Sequence, residues 1–599
     1  MSSLLQENDG IVSYEISVDG SVLSGEIEII SIRTTMEVNR ITSATIKISD
    51  GGSFGLEKAP FSNSSSNDFV PGNEIEIKLG YNSSDDTVFS GVIVGQRMVV
   101  RKSTSYLLIT CKDKSFKLTK SRGNNVMVDS TDDSLFEQLI SDVGLEIESD
   151  SASQFNSPLF QYNVSDWDYL VIRAEANNLF VFTDQNKVNV KKYDLSSSPA
   201  YKIQSDLIAI DVDLDLNGEQ TYSDFNFTSW DHSKQQSVVE SGSMNDSGSL
   251  GNLKSNSLAG NLSVPTLQKY TSAPLSSDEL KAFSDSWTTK SSLSKIQGRI
   301  IIPGTAKLKA GDLVELANFG DRFDGNAFIS KIEQECEDGN WLTVVYVGLS
   351  SRWHSSLPDI EEEDGIGLLP GGKGTYLAKV KQINDDPNTE YRVLVDLGVF
   401  QNSSSSNELW ARFATNYATS DAGFFFFPEV DDEVLITFLN GDPRFPVIIG
   451  SLYSSLLKPK VEPDADNSTK AIHSKSGIAF TFNETDKILT IETPGGNSVV
   501  LDDKDQQIVL TDSNSNKVTM DGSGIALSSP FDISIKADGK VDISGTSGIN
   551  LSSSAGDVTG DGMNVTLEAQ VGMKAAGNAT AELSASGQTT VKGAMVMIN

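Results

Sequence analysis

Four patterns in the sequence combine residue types that could carry out chemistry. Gly51–Gly55 reads GGSFG and matches the G-x-S-x-G turn that presents a serine nucleophile. Gly367–Gly374 reads GLLPGGKG and is close to a phosphate-binding loop. Asp211–Glu219 places carboxylates at alternate positions, as a calcium loop could. The chain also contains three histidines, which could serve as bases or metal ligands: His232, His354 and His473.

Each pattern lacks a part that its chemistry requires. A serine elbow needs a helix directly after the serine, but Pro60 and a polar run follow, which predicts a turn. In the phosphate-loop pattern, Gly374 stands where Ser or Thr must hold magnesium, and an alternating strand follows. In the acidic run, Leu216 replaces the glycine of a calcium loop, so we expect an edge strand with a solvated acidic face. The histidines lack metal-ligand spacing and are predicted to lie on the surface or in turns. The sequence therefore predicts no catalytic site, no metal site and no cofactor.

The composition narrows the class of protein further. The chain has 599 residues and a net charge of −35, which disfavours binding to nucleic acids. Two cysteines, Cys111 and Cys336, exclude a disulfide framework but leave a single bridge open. Neither a secretory leader nor an apolar run long enough to span a bilayer is visible. We therefore expect a soluble protein of several domains that is made in the cytosol.

The pattern of apolar residues divides the chain into segments. Residues 1–355, the N-terminal region, show mainly the two-residue alternation of strands. Helical spacing predicts one helix in Thr131–Gly144 and a second that begins after the N-cap Ser165. The Ser/Gly/Asn-rich stretch Ser241–Ser263 is predicted to be a loop. Residues 356–374 contain an acidic run and a Gly/Pro cluster, and we call them the acidic linker.

Two further segments follow the acidic linker. The barrel segment, residues 375–456, alternates short strands with polar turns and is predicted to be a small β-barrel. After a connector, residues 457–476, comes the needle segment, residues 477–599. In the needle segment, pairs of apolar residues two positions apart recur with an eight-residue period, with Gly, Ser, Asn and Asp between them. The paired positions are Ile525, Leu527, Ile533, Ile535, Val541, Ile543, Ile549, Leu551, Val565, Leu567, Leu583 and Val591. Each octad predicts a short strand with two inward side chains and then a turn.

The octad repeat indicates how many chains form the needle. One chain alone would leave its strand edges and its apolar stripe open, whereas three chains winding together would close every edge. No Trp or Tyr occurs after residue 453, so the interior must be narrow. The sequence therefore predicts a C-terminal triple-stranded β-helix, a homotrimeric prism, whose octads span about 40 Å. The alternative is a single-chain parallel β-helix, whose coils are normally longer.

The barrel segment and the octads together resemble VgrG, the spike of contractile injection systems, and its phage counterpart, the tail hub fused to a cell-puncturing needle. Two positions depart from the family's OB-fold pattern, because Asp431 and Tyr391 each stand where the family has Gly. Farther upstream, Pro71–Gly72, Phe89–Gly91 and Gly311–Leu316 are similar to the hub domain. The barrel motif residues are Trp410, Arg412, Pro428, Glu429, Glu433, Gly441, Asp442, Pro443 and Gly450.

This resemblance implies a mainly β chain, with phage-tail-hub-like β-barrel domains, an OB-fold barrel and the needle. It implies a non-enzymatic homotrimeric spike that caps the inner tube and punctures the target envelope when the sheath contracts. The implied partners are an Hcp-like inner tube protein, baseplate proteins, a PAAR-type tip protein and, transiently, the target membrane. The spike would lie in the cytoplasm within the assembled particle and leave the cell on contraction. The tip protein would bind the last residues: Met595, Val596, Met597, Ile598 and Asn599.

Two other functions fit parts of the sequence. A spike that carries a lytic or effector domain would be an enzyme, but we expect too few residues between Tyr453 and the needle strands, and after Val591, for a folded domain. A receptor-binding tail fibre also uses trimeric β-prisms, yet it would be expected to carry aromatic platforms on the needle. The sequence leaves open whether the machine is a type VI secretion system, an extracellular injection particle or a phage tail.

Overall fold

The computed structural model describes residues 10–51, 61–101, 104–153, 158–243, 250–263, 266–399 and 407–598. Within these ranges the chain contains 35 β-strands and four α-helices, so it is mainly β, as the alternation predicts. The chain divides into two compact units, Met1–Leu452 and Tyr453–Asn599. Among the described residues, no helix combines the length and the apolar character needed to cross a bilayer.

The N-terminal region holds the first 21 strands and the four helices. The strands are β1 (Val12–Val18), β2 (Ser21–Val22), β3 (Ile29–Glu37), β4 (Ser43–Ser49), β5 (Glu74–Tyr81), β6 (Ser84–Val100), β7 (Ser105–Lys112), β8 (Arg122–Met127), β9 (Glu146–Ser149), β10 (Leu159–Ser165), β11 (Leu179–Asp184), β12 (Lys187–Lys192), β13 (Tyr201–Gln204), β14 (Asp211–Leu216), β15 (Asp224–Asp231), β16 (Gln236–Ser243), β17 (Thr266–Thr271), β18 (Ile296–Pro303), β19 (Leu313–Ala317), β20 (Gly325–Glu337) and β21 (Asn340–Val347). The helices are α1 (Asp132–Ser141), α2 (Asp166–Ala176), α3 (Ser255–Leu262) and α4 (Ser277–Ser294).

One large sheet organises the described part of the N-terminal region. Eleven of its thirteen strands follow the order β14-β18-β21-β20-β3-β4-β7-β6-β5-β1-β2, while β19 pairs with β20 and β13 pairs with β19. In β4, Ala44, Ile46 and Ile48 are buried while the residues between them are not, because side chains alternate between the two faces. At the edge, β14 pairs with β18 and exposes Asp211, Asp213 and Asp215. The predicted edge strand with an acidic face is confirmed.

The sheet order separates the two cysteines. Cys111 lies on β7 and Cys336 on β20, with β3 and β4 between them. Three inter-strand steps of about 4.8 Å place these residues roughly 14 Å apart, too far for a disulfide. Both thiols are free and buried, so the single bridge that the composition left open does not form.

Burial also makes these thiols unreactive. Burial raises the pKa of Cys111 to about 12 and raises the pKa of Cys336 above its usual value. Because the thiolate is the nucleophile, we expect a disulfide reagent to modify neither thiol in the native protein at neutral pH and both in denaturant. A spectrophotometric thiol titration measures this, and fast modification of the native protein would contradict it.

The helices of the structure can be compared with the N-caps predicted from the sequence. Thr131 caps α1 by accepting a hydrogen bond from the Ser134 backbone N–H at 3.2 Å, and Ser165 caps α2, so both predicted helices are confirmed. The loop prediction for Ser241–Ser263 is wrong in part, because α3 forms there and buries Leu258. The sequence reading missed α4 as well, although it begins with a capping box.

The barrel segment forms seven strands in its described residues. They are β22 (Tyr376–Gln382), β23 (Val393–Asp396), β24 (Glu408–Phe413), β25 (Ala418–Thr419), β26 (Ala422–Gly423), β27 (Glu433–Phe438) and β28 (Pro446–Ser451). Five of them close a barrel in the order β22-β23-β24-β28-β27. Its interior contains Val380, Val395 and Ile436, which are fully buried. The predicted small β-barrel is confirmed.

The second unit begins with a meander of antiparallel strands. Its strands are β29 (Thr469–His473), β30 (Ala479–Asn483), β31 (Ile488–Glu492), β32 (Ser498–Asp502), β33 (Gln507–Thr511), β34 (Lys517–Asp521) and β35 (Gly524–Ser528). Each strand pairs with the next along the chain. Residues 529–598, all of which the structure describes, contain no helix or strand.

The octad positions are exposed in the single chain. Ile525 and Leu527 lie on β35, and the other ten positions follow it. All twelve side chains are between 48% and 78% exposed. The predicted triple-stranded β-helix therefore stays a prediction, because it needs partner chains to form.

Candidate functional site

The barrel brings all nine predicted motif residues onto three strands and two turns. Trp410 and Arg412 lie on β24, and Glu433 and Gly450 lie on the paired strands β27 and β28. Arg412 pairs in register with Val447 of β28. The other motif residues lie in the turns before and after β27: Pro428, Glu429, Gly441, Asp442 and Pro443.

The turn before β27 explains the first departure from the family pattern. Asp431 has φ +79°, in the left-handed region where glycine is favoured. Its carboxylate lies 2.9 Å from the Lys379 Nζ, and its backbone N–H donates to the Val380 carbonyl at 2.9 Å. Asp tolerates this backbone region better than most residues. The turn geometry is therefore kept without the glycine.

The second departure lies in the loop between β22 and β23. Tyr391 also has a left-handed backbone, with φ +57°, and its side chain is 79% exposed. Asp386 holds the loop by accepting hydrogen bonds from the backbone N–H groups of Asn388, Glu390 and Arg392 and from the Arg392 guanidinium. The Arg392 side chain is the main reason that the pKa of Asp386 lies well below its usual range. These hydrogen bonds keep the loop in place although Tyr391 has a strained backbone conformation.

Replacing Tyr391 with glycine is expected to stabilise the barrel slightly. The left-handed region costs a non-glycine residue about 1 kcal/mol, part of which the greater flexibility of unfolded glycine offsets. We expect the melting temperature to rise for Tyr391→Gly and not for Tyr391→Ala, which removes the same ring but keeps the strain. Differential scanning calorimetry measures both, and equal melting temperatures would contradict the strain.

The turn after β27 contacts the acidic linker. Asp442 accepts hydrogen bonds from the backbone N–H and guanidinium of Arg444, at 3.0 and 2.6 Å respectively. The Gly441 carbonyl accepts a 2.7 Å hydrogen bond from the Gly372 N–H. Lys373 lies 3.3 Å from the Asp364 carboxylate within the linker itself. This end of the linker is therefore held against the barrel.

Arg122 holds the other end of the acidic linker. Its Nη1 donates to the carbonyl oxygens of Asn163 at 2.6 Å and Ile360 at 2.7 Å. Its Nε lies 3.2 Å from the Glu362 carboxylate, and Ile360 is buried in the core around α1 and α2. The acidic linker is thus an ordered segment that contacts the structure on both sides.

Removing this anchor is expected to loosen the linker. Arg122→Gln loses charge-assisted hydrogen bonds to the linker, so local opening should increase about tenfold. A glutamate-specific protease would then cut at Glu361–Glu363 about tenfold faster, which gel electrophoresis follows. Lys120→Gln, which changes a nearby cation that does not touch the linker, should leave the rate unchanged. Equal rates in both variants would show that Arg122 is not the anchor.

Beside the barrel, an aromatic run is left uncovered. Phe424, Phe425 and Phe426 are 55%, 79% and 63% exposed, whereas Phe427 packs against Phe413 with ring centroids 5.3 Å apart. Large aromatic side chains in such a run normally pack against a partner. The run therefore marks a surface that can be buried on assembly.

The structure tests the phosphate-loop and metal-ligand patterns of the sequence. Gly374 leads into β22 and not into a helix, so the strand predicted after this pattern is confirmed. The serine elbow pattern, from Gly52 to Gly55, lies outside the described residues. Within the described ranges, no group of three or more His, Cys, Asp or Glu side chains is arranged to hold a metal ion.

The prediction for the histidines is correct for His232 and His473, which are exposed, and wrong for His354. His354 is buried, and its Nε2 lies 2.9 Å from the Asp168 Oδ1. Burial opposes ionisation of Asp168, but hydrogen bonds from His354 and Ser165 hold its pKa below the usual range. Asp168 thus connects Ser165, the N-cap of α2, to His354.

The predicted tip residues lie at the end of the second unit. Met595, Val596, Met597 and Ile598 are 79%, 49%, 78% and 92% exposed, and Asn599 lies outside the described residues. They are distant in sequence from the barrel motif. The contacts that these residues make in an assembly stay a prediction.

Two family models match the chain. The model described as Alg8 N-terminal domain matches residues 8–338, which is more than half of the chain. The model described as the type VI secretion system/phage-baseplate injector OB domain matches residues 376–453, which include the closed barrel.

Parts of the chain are also similar to curated proteins, and solved structures align with it at low TM-scores. The type VI secretion system spike protein VgrG1c of Pseudomonas aeruginosa is 26% identical over 207 residues, covering 31% of this chain and 28% of that protein. The chain thus spans less than a third of that relative's length. The 43 kDa tail protein of prophage MuSo2 from Shewanella oneidensis has a TM-score of 0.43 at 12% identity, covering 57% of this chain and 99% of the other. The half-lidded Francisella PdpA–VgrG complex aligns with a TM-score of 0.38 at 11% sequence identity, covering 88% of this chain and 89% of the other.

The chain thus combines a mainly β N-terminal region with a barrel that matches the injector OB domain. The chain belongs to the family whose model is described as Alg8 N-terminal domain, and it is similar to VgrG-type spike proteins over part of its length.

Proposed function

We propose that this protein is a non-enzymatic homotrimeric spike that caps an inner tube and punctures a target envelope when a sheath contracts. The N-terminal region forms the hub with tube-like β-barrel domains, the barrel segment forms the neck, and the needle segment forms a triple-stranded β-helix. The domain bounds are those given by the sequence: 1–355, 356–374, 375–456, 457–476 and 477–599.

One observation carries this proposal, the uncovered apolar ladder of the needle segment. Its twelve octad positions are Ile, Leu and Val side chains, all exposed in the single chain. Burying one such side chain contributes about 1.5–3 kcal/mol, so three chains that cover one another gain a large driving force. The meander adds a groove of about 590 Å³, whose apolar lining includes Val499, Leu510 and Val518. Both surfaces favour filling by further copies of the chain.

The proposed partners follow from this arrangement. The hub end would meet an Hcp-like inner tube protein and baseplate proteins, and the exposed residues Met595–Ile598, with Asn599, would bind a PAAR-type tip protein. The particle would hold the spike in the cytoplasm until contraction carries it out of the cell, where it would touch the target membrane transiently. The needle would penetrate the envelope because it is stiff, without a chemical reaction.

Two measurements test the proposal. Light scattering of the purified full-length chain should give a mass of three chains at micromolar concentration. Gold labelling of a tagged chain in sheathed particles from the producing cells should then mark the baseplate end of the tube. A single-chain mass would overturn the trimer, and label elsewhere on the particle would overturn the spike assignment.

A further inference from the structure

A basic cleft opens on the N-terminal region, beside the start of α2. Its volume is about 710 Å³, and four cationic side chains line it. They come from separate elements: Arg40 from the turn between β3 and β4, Lys112 from the end of β7, Lys120 from the turn before β8, and Arg122 from the start of β8. Such a convergence stands out in a chain whose net charge is −35.

Cationic side chains outnumber carboxylates in this cleft by four to two, and Asp359 of the acidic linker is one of the two carboxylates. Asp168 also lines it, but its two carboxylate oxygens are occupied by His354 at 2.9 Å and by Ser165 at 2.5 Å. In the part of the chain that the structure describes, the side chains of Arg40 and Lys112 make no hydrogen bond or ion pair. These cations are therefore available to a ligand.

The rim of the cleft already recognises one kind of ligand. Arg122 holds the acidic linker there through the carbonyl oxygen of Ile360 and the carboxylate of Glu362, and Asp359 lines the cleft itself. The rest of the lining is mainly polar, and Ile41 and the buried Trp167 add a small apolar patch. Cations in a polar cleft suit a polypeptide that carries carboxylates on an extended backbone.

We propose that this cleft binds a carboxylate-rich polypeptide segment of a partner protein. The volume of about 710 Å³ falls within the range of clefts that bind drug-sized ligands, and is far larger than one inorganic anion needs. The net charge of the whole chain repels nucleic acids and anionic membranes, whereas a short acidic segment can enter the locally positive cleft. Arg40, Lys112 and Lys120 would bind the carboxylates, and Arg122 would continue to hold the linker.

The test uses a fluorescein-labelled hexaglutamate peptide and the full-length protein at low ionic strength. Fluorescence anisotropy should show saturable binding, weakened as salt screens the charges. The variant Lys112→Glu/Lys120→Glu should bind at least about tenfold more weakly. The matched control Lys458→Glu/Lys460→Glu changes the net charge equally at exposed positions of the second unit, and should keep the affinity within about twofold.

Several outcomes would overturn the proposal. They are no binding by the unaltered protein, an equal loss in both double variants, and displacement of the peptide by equimolar inorganic phosphate. Binding to phosphatidylserine vesicles that the Lys112→Glu/Lys120→Glu variant loses, without peptide binding, would assign the cleft to membranes and also reject the proposal. Circular dichroism of both variants checks that they are folded.

Discussion

Replacing Ile549 and Leu551 with aspartate is expected to convert the proposed trimer into single chains. These positions form one octad pair, which is exposed in the single chain and lies inside the proposed prism. Two substitutions per chain would place six carboxylates in one layer of a narrow apolar interior. An unpaired charge in such surroundings costs several kcal/mol, and each lost aliphatic contact about 1.5–3 kcal/mol more. Light scattering of the full-length variant should show one third of the original mass.

The matched control places the same charges on the other face of the same strand. Asn550 and Ser552 alternate with the octad pair, so their side chains point outward in the proposed prism. The variant Asn550→Asp/Ser552→Asp should therefore keep the trimer. If both variants stay trimeric, the octads do not form the trimer interface. If both become single chains, added negative charge prevents assembly wherever it lies, and the prediction that only the octad side chains point inward is wrong.

Replacing Glu175 with glutamine is expected to give the largest loss of stability in the N-terminal region. Glu175 of α2 and Lys290 of α4 form an ion pair at 2.5 Å, and both side chains are only 3% exposed. Burial holds the pKa of Lys290 below its usual value, which shows how much the ammonium depends on its partner. Leaving this charge unpaired should lower the free energy of unfolding by about 3 kcal/mol.

Tryptophan fluorescence during urea unfolding measures this loss, because the Lys290 Nζ lies 5.1 Å from the Trp353 ring. On the same helix, the exposed pair Lys281–Asp285 provides the control. Asp285→Asn should lower the free energy of unfolding by less than about 0.5 kcal/mol. The double variant Glu175→Gln/Lys290→Met should recover most of the loss, because no charge is then left buried and the glutamine oxygen can still accept from the His354 backbone N–H. Equal effects at Glu175 and Asp285 would contradict the buried pair.

The features that the sequence predicted correctly depend on short-range signals. The barrel strands follow from apolar alternation between polar turns, and α1 and α2 follow from caps at Thr131 and Ser165. The acidic edge strand β14 follows from its alternating Asp residues in the same way. A periodic pattern is visible within a window of a few residues, so no knowledge of the tertiary structure is needed.

The features that it missed depend on contacts between distant residues. Glu175 accepts a hydrogen bond from the His354 backbone N–H at 2.8 Å, across 179 positions of the chain. The buried state of His354 and the pairing of Lys290 both depend on this meeting of α2, α4 and the segment before the linker. For α4, a local signal did exist, because Ser276 and Glu279 form a capping box. For α3, packing of Leu258 overrides a composition typical of loops.

The anchored acidic linker bears on how mechanical load passes through the molecule. A flexible tether between the N-terminal region and the barrel would first stretch under load and so absorb the beginning of a stroke. Here Arg122 holds Ile360 near one end and the Gly372 N–H binds Gly441 near the other, while the Tyr162 hydroxyl contacts Asn440 directly at 3.1 Å. These contacts leave the acidic linker little freedom to extend before the barrel moves. On the proposed function, a push delivered to the N-terminal region would reach the barrel with almost no delay or loss of travel.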